Sequence, residues 1–245
     1  MAQTETRPVT MPAEQQGPQT RPVEPGMRLK DDDMRIEICT VEDAMTLAQG
    51  LRACYSAETW DKKEPAAQGR PDSDRLERLA KRLVPVLAHS EFTVIKAVLA
   101  STGEAIGAAC WGRPDGNIAQ DPFRRSAIPF YNWQESLGWS EAFVDELWSG
   151  VTDSWHQGQA KDDEERAQTM KGQAHWFLAL LITWPDFQGR GVARRLLDWA
   201  IEQADAQEPP TPMYLKSSKM GRRVYMHVGF VPVGENTMVR RGRVE

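Results

Sequence analysis

A short glycine-containing stretch in the second half of the chain has the residue types that bind phosphate groups. It reads Gln188-Gly189-Arg190-Gly191-Val192-Ala193, and Arg194 and Arg195 follow it. Glycines let a backbone approach an anion closely and adopt positive φ. The first N–H groups of a helix have no partner inside the helix and lie at the positive end of its dipole. The stretch therefore predicts a loop that binds phosphate or pyrophosphate, with a plain turn as the alternative.

Two familiar phosphate-binding loops do not fit this stretch. A dinucleotide-binding GxGxxG loop counted from Gly189 needs a third small residue where Arg194 stands. A nucleoside-triphosphate loop needs GxxxxGK followed by Ser or Thr, and that pattern is absent from the sequence. Neither nucleotide loop therefore explains the two glycines.

The residues on both sides of the loop predict a strand before it and a helix after it. Residues 176–183 are nearly all apolar, which is typical of a buried strand. Pro185 then ends the strand because proline has no backbone donor. After the loop, apolar residues recur at helical spacing at Val192, Leu196, Ala200 and Ala204, with Leu197 and Ile201 beside them. This order places the start of the helix at the glycines.

Composition excludes several classes of protein. The chain has 245 residues and a net charge of −5, without a long basic stripe, so nucleic-acid binding is not indicated. Its three cysteines show no CxxC spacing, which predicts a reduced, cytoplasmic protein. Its four histidines form no HxxxH or HxH pair, so no metal site is predicted. No apolar run has the length of a membrane span, and no signal-peptide core is evident, so no membrane partner is expected.

The first part of the chain divides into a tail and the start of a domain. Residues 1–33 are rich in Pro, Gln, Thr and Glu, which predicts a disordered tail. Residues 34–245 are expected to form a single domain. Its predicted early elements are a strand at 35–39, a helix that Thr40 caps, a loop at 60–73 with Trp60 as its one large side chain, a helix at 73–89 that Pro85 is expected to kink or end, and hairpin strands at 92–99 and 105–111.

Residues 112–173 have a different pattern and predict a helical insertion. Four tryptophans lie here: Trp133, Trp139, Trp148 and Trp155. A further helix is expected to begin at residues 162–165. We expect the tryptophans to pack in the insertion's own core, with a ligand-binding role for one of them as the alternative. After the central strand and helix, the sequence predicts a rigid link at 208–212, a strand at 213–217, a short helix at 218–227 and a last pair of strands at 230–233 and 237–240.

With these elements in place, the chain resembles the GNAT superfamily of acetyl-coenzyme-A-dependent N-acetyltransferases. Residues 188–193 match the family's Q/R-x-x-G-x-G/A signature, and residues 185–187 match its Pro-x-aromatic lead-in. Residues 225–230 match its Tyr-x-x-x-Gly-Phe ending, and residues 214–218 are similar to fungal small-molecule members. The resemblance implies the GNAT fold, an α/β (mixed α+β) architecture whose central, mostly antiparallel sheet is flanked by helices.

The resemblance also implies the cosubstrate, acetyl-CoA, and the residues that bind it. In the family, the strand before the loop splays from its neighbour, the pantetheine arm pairs with that strand, and main-chain N–H groups of the loop hold the pyrophosphate. Ser218 stands where many members have an asparagine that contacts the cofactor. Tyr225 is implied as the acid that protonates the leaving thiolate. The implied cofactor contacts are Leu181, Ile182, Thr183, Gln188, Gly189, Arg190, Gly191, Val192, Ala193, Ser218 and Tyr225.

The implied reaction is the attack of an amine on a thioester carbonyl. A backbone N–H group at residues 182–184 is expected to stabilise the negative charge on the carbonyl oxygen. Tyrosine is protonated at neutral pH and is therefore able to act as the acid. The base stays open among His175, Glu104, Asp186 and a water chain, and His175 has the most suitable intrinsic pKa. Lys216 stands where relatives often carry Glu, and its cation argues against a carboxylate base there and favours an anionic acceptor.

The sequence therefore predicts an enzyme that moves an acetyl group to a primary amine of a small molecule by direct transfer through a tetrahedral intermediate. One alternative is a coenzyme-A-binding sensor or interaction protein of the same fold without turnover. Another is a protein or peptide N-acetyltransferase, although the Trp-rich insertion favours a closed pocket. The oligomeric state stays open between a monomer and a homodimer.

Overall fold

A seven-stranded sheet organises the part of the chain that the computed structural model describes, residues 25–242. Its strands are β1 (Met34–Ile38), β2 (Phe92–Leu99), β3 (Ala105–Gly112), β4 (Trp176–Thr183), β5 (Met213–Lys216), β6 (Val231–Pro232) and β7 (Thr237–Arg240). Their order is β1-β2-β3-β4-β5-β7-β6. The β4–β5 pair is parallel, and the other neighbouring pairs are antiparallel. The predicted mixed, mostly antiparallel sheet is confirmed.

Helices cover both faces of the sheet. They are α1 (Ala44–Cys54), α2 (Ala57–Lys63), α3 (Asp72–Ala88), α4 (Ala127–Phe130), α5 (Trp133–Ser136), α6 (Glu141–Trp148), α7 (Asp153–Met170), α8 (Val192–Asp205) and α9 (Arg222–His227). One apolar core joins α1, α3 and the insertion to one face of the sheet, and a second core joins α8 and α9 to the other face. The predicted α/β fold class is confirmed. None of the helices within residues 25–242 is long and apolar enough to cross a membrane.

Close contact between α8 and β3 fixes the start of α8 against the sheet. A Cβ atom on Gly107 of β3 would lie 2.8 Å from Val192 Cγ1 and 2.9 Å from the carbonyl oxygen of Ile182. Glycine is therefore required at position 107, because any side chain would push the helix away. The same contact holds the loop before α8 beside the end of β4.

Several element boundaries differ from the sequence prediction. Helix α2 occupies part of the segment that was predicted as a loop, and its cap is local, since Ser56 Oγ accepts from the Thr59 N–H at 3.2 Å. Helix α3 agrees with the predicted helix at 73–89, and Pro85 does not end it, since the helix continues to Ala88. Pro85 lies in the last turn, where its ring removes a single helical hydrogen bond. Helix α7 begins at Asp153, well before the predicted start at residues 162–165.

The N-terminal segment also differs from prediction where it is described. Residues 25–33, which were assigned to the disordered tail, form short 3-10 turns at Pro25–Met27 and Asp31–Asp33. The Leu29 N–H donates to the carbonyl of Arg190 at 3.1 Å, and Asp31 lies 3.4 Å from Arg195 Nη1. This segment therefore packs on the loop before α8. The prediction for residues 1–24 lies outside the described residues.

Candidate active site

Strands β4 and β5 separate before β4 ends, which opens a gap in the middle of the sheet. Their pairing runs from Trp176 opposite Met213 to Leu178 opposite Leu215, and β4 then continues alone on that side to Thr183. On its other side β4 pairs with β3 through a register shift, a β-bulge, at Ala179. A bulge bends its strand and increases the twist. The splayed strand that the family resemblance implied is therefore present.

The end of β4 turns the backbone groups of two residues toward this gap. The Trp184 N–H donates to the carbonyl of Ile106 in β3 at 3.0 Å. Because backbone groups alternate sides along a strand, Ile182 also faces β3, whereas Leu181 and Thr183 face the gap. Of the predicted oxyanion donors at residues 182–184, only Thr183 has an N–H group that faces the gap. The N–H group of Leu181, which was not among the predicted donors, faces the gap as well.

Two side chains already bond to the gap-facing carbonyl of Thr183. Cys54 Sγ and Gln188 Nε2 each lie 3.2 Å from the Thr183 carbonyl oxygen. Burial raises the pKa of the Cys54 thiol to about 11, so this group is a neutral donor and not a nucleophilic thiolate. Sequence analysis did not single out Cys54, since the last residue of a distant helix carries no local sign of this contact.

The glycine loop leaves consecutive amides free at the N-terminus of α8. The N–H groups of Gln188 and Arg190 donate within the loop, to the carbonyls of Pro185 and Phe187. Among residues 25–242, the N–H groups of Gly189, Gly191, Val192 and Ala193 have no backbone acceptor. Gly191 has a φ of +94°, which L side chains rarely adopt. The free amides and the helix dipole together form an anion-binding site.

A cleft of about 560 Å³ extends from the splayed end of β4 to this loop and on to α9. All the predicted cofactor contacts line it except Ile182 and Arg190. Ile182 packs in the core on the other side of β4. The Arg190 guanidinium lies over the Phe187 ring, 5.4 Å from its centroid.

Positive charge at the cleft comes from residues on both sides of the loop. Arg194 lines the cleft, although its Nε bonds to both carboxylate oxygens of Asp198 at 2.7 and 2.8 Å. Arg28 also lines the cleft and has an exposed side chain. Arg28 lies 160 positions before the loop in sequence, so no local pattern could have assigned it to this site.

Tyr225 lies at the far wall of the cleft and is almost fully buried, with 7% of its surface exposed. Burial, and after it the nearby Tyr55, raise the pKa of Tyr225 well above the ordinary value for tyrosine. A Cβ atom on Gly221 would lie 2.9 Å from the Tyr225 ring, so glycine leaves the room that the ring occupies. Ser218 also lines the cleft, and its Oγ accepts from the Gly221 N–H at 3.0 Å.

A second cavity, of about 340 Å³, lies on the α1 and α3 side of the sheet and adjoins β4 at the bulge. Helices α2, α3, α6 and α7, the segment after β3, and strands β4 and β5 all contribute to its walls. Its lining includes Tyr55, Trp60, Lys63, Arg82, Asp121, Phe123, Trp148, Trp155, Ala179, Leu180, Tyr214 and Lys216. We call this space the acceptor cavity and the cleft beside the loop the cofactor cleft.

Asp121 is the carboxylate of the acceptor cavity with the most perturbed acidity. Its Oδ1 accepts from the Phe123 N–H at 2.8 Å and from Gln159 Nε2 at 3.3 Å. Burial raises the pKa of Asp121 to about 7, and the neighbouring Asp163 adds to the shift. A carboxyl group that titrates near neutral pH in a cavity is a candidate acid or base.

The sequence did not single out Asp121 as a base, and the structure places the predicted bases away from the gap or engages them elsewhere. His175 is buried beside Tyr214 at the opposite end of β4 from Thr183, lines neither space, and its Nδ1 lies 2.6 Å from the Gln173 carbonyl oxygen. Burial also lowers its pKa. Glu104 and Asp186 lie in exposed turns.

Lys216 lines the acceptor cavity, but two carboxylates neutralise it. Its Nζ lies 2.6 Å from Glu165 and 3.1 Å from Asp162. Lys216 therefore offers no unbalanced charge to an anionic acceptor, because two carboxylates of the protein already pair with it.

The tryptophans of the insertion divide between a core and the acceptor cavity. Trp133 is fully buried and stacks on Tyr131, with ring centroids 4.7 Å apart. Trp139 packs edge-on against Phe143. Trp148 is also buried in the core, but it lines the cavity together with Trp155. The core role is therefore confirmed for Trp133, Trp139 and Trp148, and a ligand-binding role for Trp148 or Trp155 stays a prediction.

The comparisons with known proteins agree with this geometry. Residues 166–243 match the family model described as acetyltransferase (GNAT) domain. This match supports the predictions that the protein is an enzyme, an N-acetyltransferase, and that acetyl-CoA is its cosubstrate. None of the curated proteins matches the chain.

Solved structures of acetyltransferases are similar to this chain in fold. An N-acetyltransferase from Staphylococcus aureus Mu50 has a TM-score of 0.50 at 14% identity, over 84% of this chain and 97% of that one. A protein described as histone acetyltransferase HPA2 and related acetyltransferase, from Corynebacterium glutamicum, has a TM-score of 0.47 at 18% identity, over 87% and 98%. The PaiA N-acetyltransferase from Thermoplasma acidophilum, in complex with coenzyme A, has a TM-score of 0.44 at 13% identity, over 85% and 98%.

Proposed function

We propose that this protein transfers an acetyl group directly from acetyl-CoA to a primary amine of a small molecule. One observation carries the proposal: consecutive residues of β4 line two different spaces. Leu178, Ala179 and Leu180 line the acceptor cavity, and Leu181 and Thr183 line the cofactor cleft. A thioester laid along the splayed strand would therefore meet an amine from the opposite side of the sheet.

The free backbone groups near the bulge would position and activate the thioester. The pantetheine arm would pair with the gap-facing groups of Leu181 and Thr183, and the pyrophosphate would bind the free amides at the start of α8. The N–H groups of Leu181 and Thr183 both face the gap, so either would be placed to donate to the carbonyl oxygen of the acetyl group. A backbone donor aimed at a developing oxyanion lowers the barrier substantially.

Tyr225 would assist departure of the thiolate. Its raised pKa keeps the phenol protonated at neutral pH, so it is able to donate a hydrogen bond, and then a proton, as charge develops on sulfur. Its buried position in the cofactor cleft excludes water from that hydrogen bond. The high pKa of Cys54 disfavours an acyl-cysteine intermediate and supports direct transfer.

Asp121 would bind the ammonium form of the acceptor and take its proton. It lines the acceptor cavity among aromatic side chains, and its pKa of about 7 leaves a fraction of the carboxyl ionised at neutral pH. The cavity has a volume of about 340 Å³ between helices α2, α3, α6 and α7 and the sheet, which suits a small molecule.

The test is a thiol-release assay with acetyl-CoA and a panel of small amines, run beside Tyr225→Phe. We expect the variant to lower kcat by about 100-fold or more, because general-acid assistance typically contributes about 10²- to 10⁴-fold. Its affinity for acetyl-CoA, measured by calorimetry, should stay within about twofold, because the loop amides that hold the pyrophosphate are unchanged.

Three other outcomes would decide against parts of the proposal. Cofactor binding without thiol release for any amine or peptide would favour the alternative of a non-catalytic coenzyme-A-binding protein. A Tyr225→Phe variant with unchanged kcat would remove Tyr225 from the chemistry. Acetylation of peptides but not of small amines would favour the protein-acetyltransferase alternative.

A further inference from the structure

We infer that the acceptor is amphoteric: it carries an anionic group that binds Lys63, in addition to the amine that binds Asp121. This inference rests on the proposed function, because it names the substrate class of the acceptor cavity. Its evidence is the charge that remains on the cavity wall after the ion pairs within the protein are accounted for.

Most charged side chains on the cavity wall are already neutralised. Arg82 forms a buried ion pair with Glu64. Asp163 pairs with Arg124 at 3.0 Å and with Arg166 at 2.9 Å. Together with the pairing of Lys216 to Glu165 and Asp162, these contacts leave the wall nearly balanced.

Lys63 and Asp121 are the exceptions among the charged residues of residues 25–242 that line this cavity. Neither has an oppositely charged atom within 4.0 Å, and they do not pair with each other. A charge that is removed from water without a partner is costly, so a ligand that supplies the partner gains binding energy.

Aromatic rings flank the Lys63 ammonium group, and a main-chain hydrogen bond fixes the backbone of the same residue. Its Nζ lies 5.1 Å from the centroid of the Trp60 ring and 4.3 Å from that of Trp155. The Lys63 carbonyl accepts from the Thr152 N–H at 2.9 Å, which ties the end of α2 to the start of α7. Burial, and then the charge of Arg82, lower the pKa of Lys63 to about 8. An ammonium group that is held in position without an oppositely charged partner is a site at which a carboxylate would bind.

The two unpaired charges have opposite sign, which selects the class of ligand. A simple monoamine would satisfy Asp121 and leave Lys63 unpaired, and a polyamine would be repelled by Lys63. A molecule with one ammonium and one carboxylate would satisfy both charges. Phe123 and Trp148 line the same cavity and would cover an apolar body. The cavity, of about 340 Å³, is large enough for an amino acid with an apolar side chain.

The experiment compares matched acceptors that differ only in the carboxylate. The probes are phenylalanine with 2-phenylethylamine, and leucine with 3-methylbutylamine. We expect the wild-type protein to favour the amino acid of at least one pair by about tenfold or more in kcat/KM, since a site with an unpaired polar group rejects a ligand that lacks the partner. Lys63→Met should abolish that preference, because kcat/KM should fall for the amino acid and stay nearly unchanged for the amine.

Lys62→Met is the matched control. Lys62 is the adjacent lysine, it is exposed, and it pairs with Glu58 at 2.7 Å outside the cavity. This variant should keep the wild-type preference. Lys63→Arg, which keeps the charge, should retain part of it.

Binding measurements separate this inference from the proposed function. If no acceptor reacts, calorimetry of the same four compounds on the coenzyme-A-loaded protein still tests whether the carboxylate matters and whether Lys63→Met removes its contribution. If Lys63→Met lowered kcat/KM or affinity equally for the amine and the amino acid, the inference would be overturned. A wild-type preference for the plain amines, or an absence of binding and reaction with all four compounds, would also overturn it.

Discussion

The cofactor cleft and the acceptor cavity lie on either side of one strand, yet the protein builds them in different ways. The cleft consists largely of backbone groups from one continuous stretch, the end of β4 and the loop before α8. The cavity consists of side chains from α2, α3, the insertion and the sheet. Acetyl-CoA is always the same molecule, and main-chain amides and a helix dipole are sufficient to bind its pyrophosphate and pantetheine. An acceptor is recognised instead by charges and surfaces that fit one particular molecule.

Because the two sites are built differently, substitutions can change acceptor binding without changing cofactor binding. A backbone site depends on conformation, so most side-chain changes leave it intact and only changes of φ or charge at the loop destroy it. A side-chain site changes its ligand whenever one residue of its wall changes. The following predictions test this contrast, beginning with the largest expected effect.

A negative side chain in the loop should abolish cofactor binding. Gly191→Glu forces a side chain onto a backbone with a φ of +94° and places a carboxylate where the pyrophosphate would bind. We expect the Kd for acetyl-CoA, measured by calorimetry, to rise by about 100-fold or more, since backbone strain and charge repulsion add.

Gly69→Glu is the matched control for that variant. Gly69 has a φ of +89° and, like Gly191, open space around the position of a Cβ atom, but it lies in the turn between α2 and α3. This control should lose a similar amount of stability and keep its affinity for acetyl-CoA. Unchanged affinity in Gly191→Glu would contradict the whole assignment of the cofactor cleft.

Loss of the carboxylate in the acceptor cavity should affect catalysis without affecting the cofactor. Asp121→Asn keeps an Oδ1 atom that is able to accept from Phe123 and removes the charge and the base. We expect kcat/KM for the amine to fall by about 100-fold at pH 8, at the lower end of the usual range for a lost general base. The wild-type rise in kcat/KM between pH 6 and pH 8 should disappear in the variant, because the pKa of Asp121 is about 7.

The same variant has a stability signature with a definite sign. The folded-state pKa of Asp121 lies above the ordinary value of 3.8, so its contribution to stability is present below the unfolded pKa and is lost as the pH rises through about 7. Asp121→Asn should therefore melt above the wild type at pH 8, and the difference should shrink at pH 5. Asp115→Asn, which removes an exposed carboxylate beside Arg113, should show neither the catalytic loss nor this pattern.

The smallest expected effect concerns the N-terminal segment. Arg28 is an exposed cation at the edge of the cofactor cleft. Arg28→Ala should raise the Kd for acetyl-CoA by about threefold at low salt, and the difference should shrink at high salt because exposed charges are screened. Arg35→Ala, on β1, should leave the Kd unchanged. A salt-independent effect of Arg28→Ala would indicate a packing role for the segment instead.

The parts of the site that sequence predicted are those that local chemistry encodes. The loop at 188–193 and the tyrosine of α9 lie in short motifs whose spacing reflects a strand, a turn and a helix start. The predictions failed where position depends on distant contacts: His175 has a suitable side chain but lies at the wrong end of β4, and Lys216 is neutralised by residues of α7. Pro85 does not end α3, because one missing hydrogen bond in the last turn does not end a packed helix.

Sequence alone predicted the strands of the sheet, helices α1, α3 and α8, and the glycine loop, because hydrophobic periodicity and glycine placement act over a few neighbouring residues. Only the tertiary structure brought Asp121 and Lys63 to one cavity and Arg28 to the cofactor cleft. Those residues come from separate parts of the chain, and their partners, burial and acidity depend on the packing of the insertion and of the N-terminal segment. Side-chain ion pairs decide which charges remain for a ligand, and such pairs form between residues that no local pattern connects.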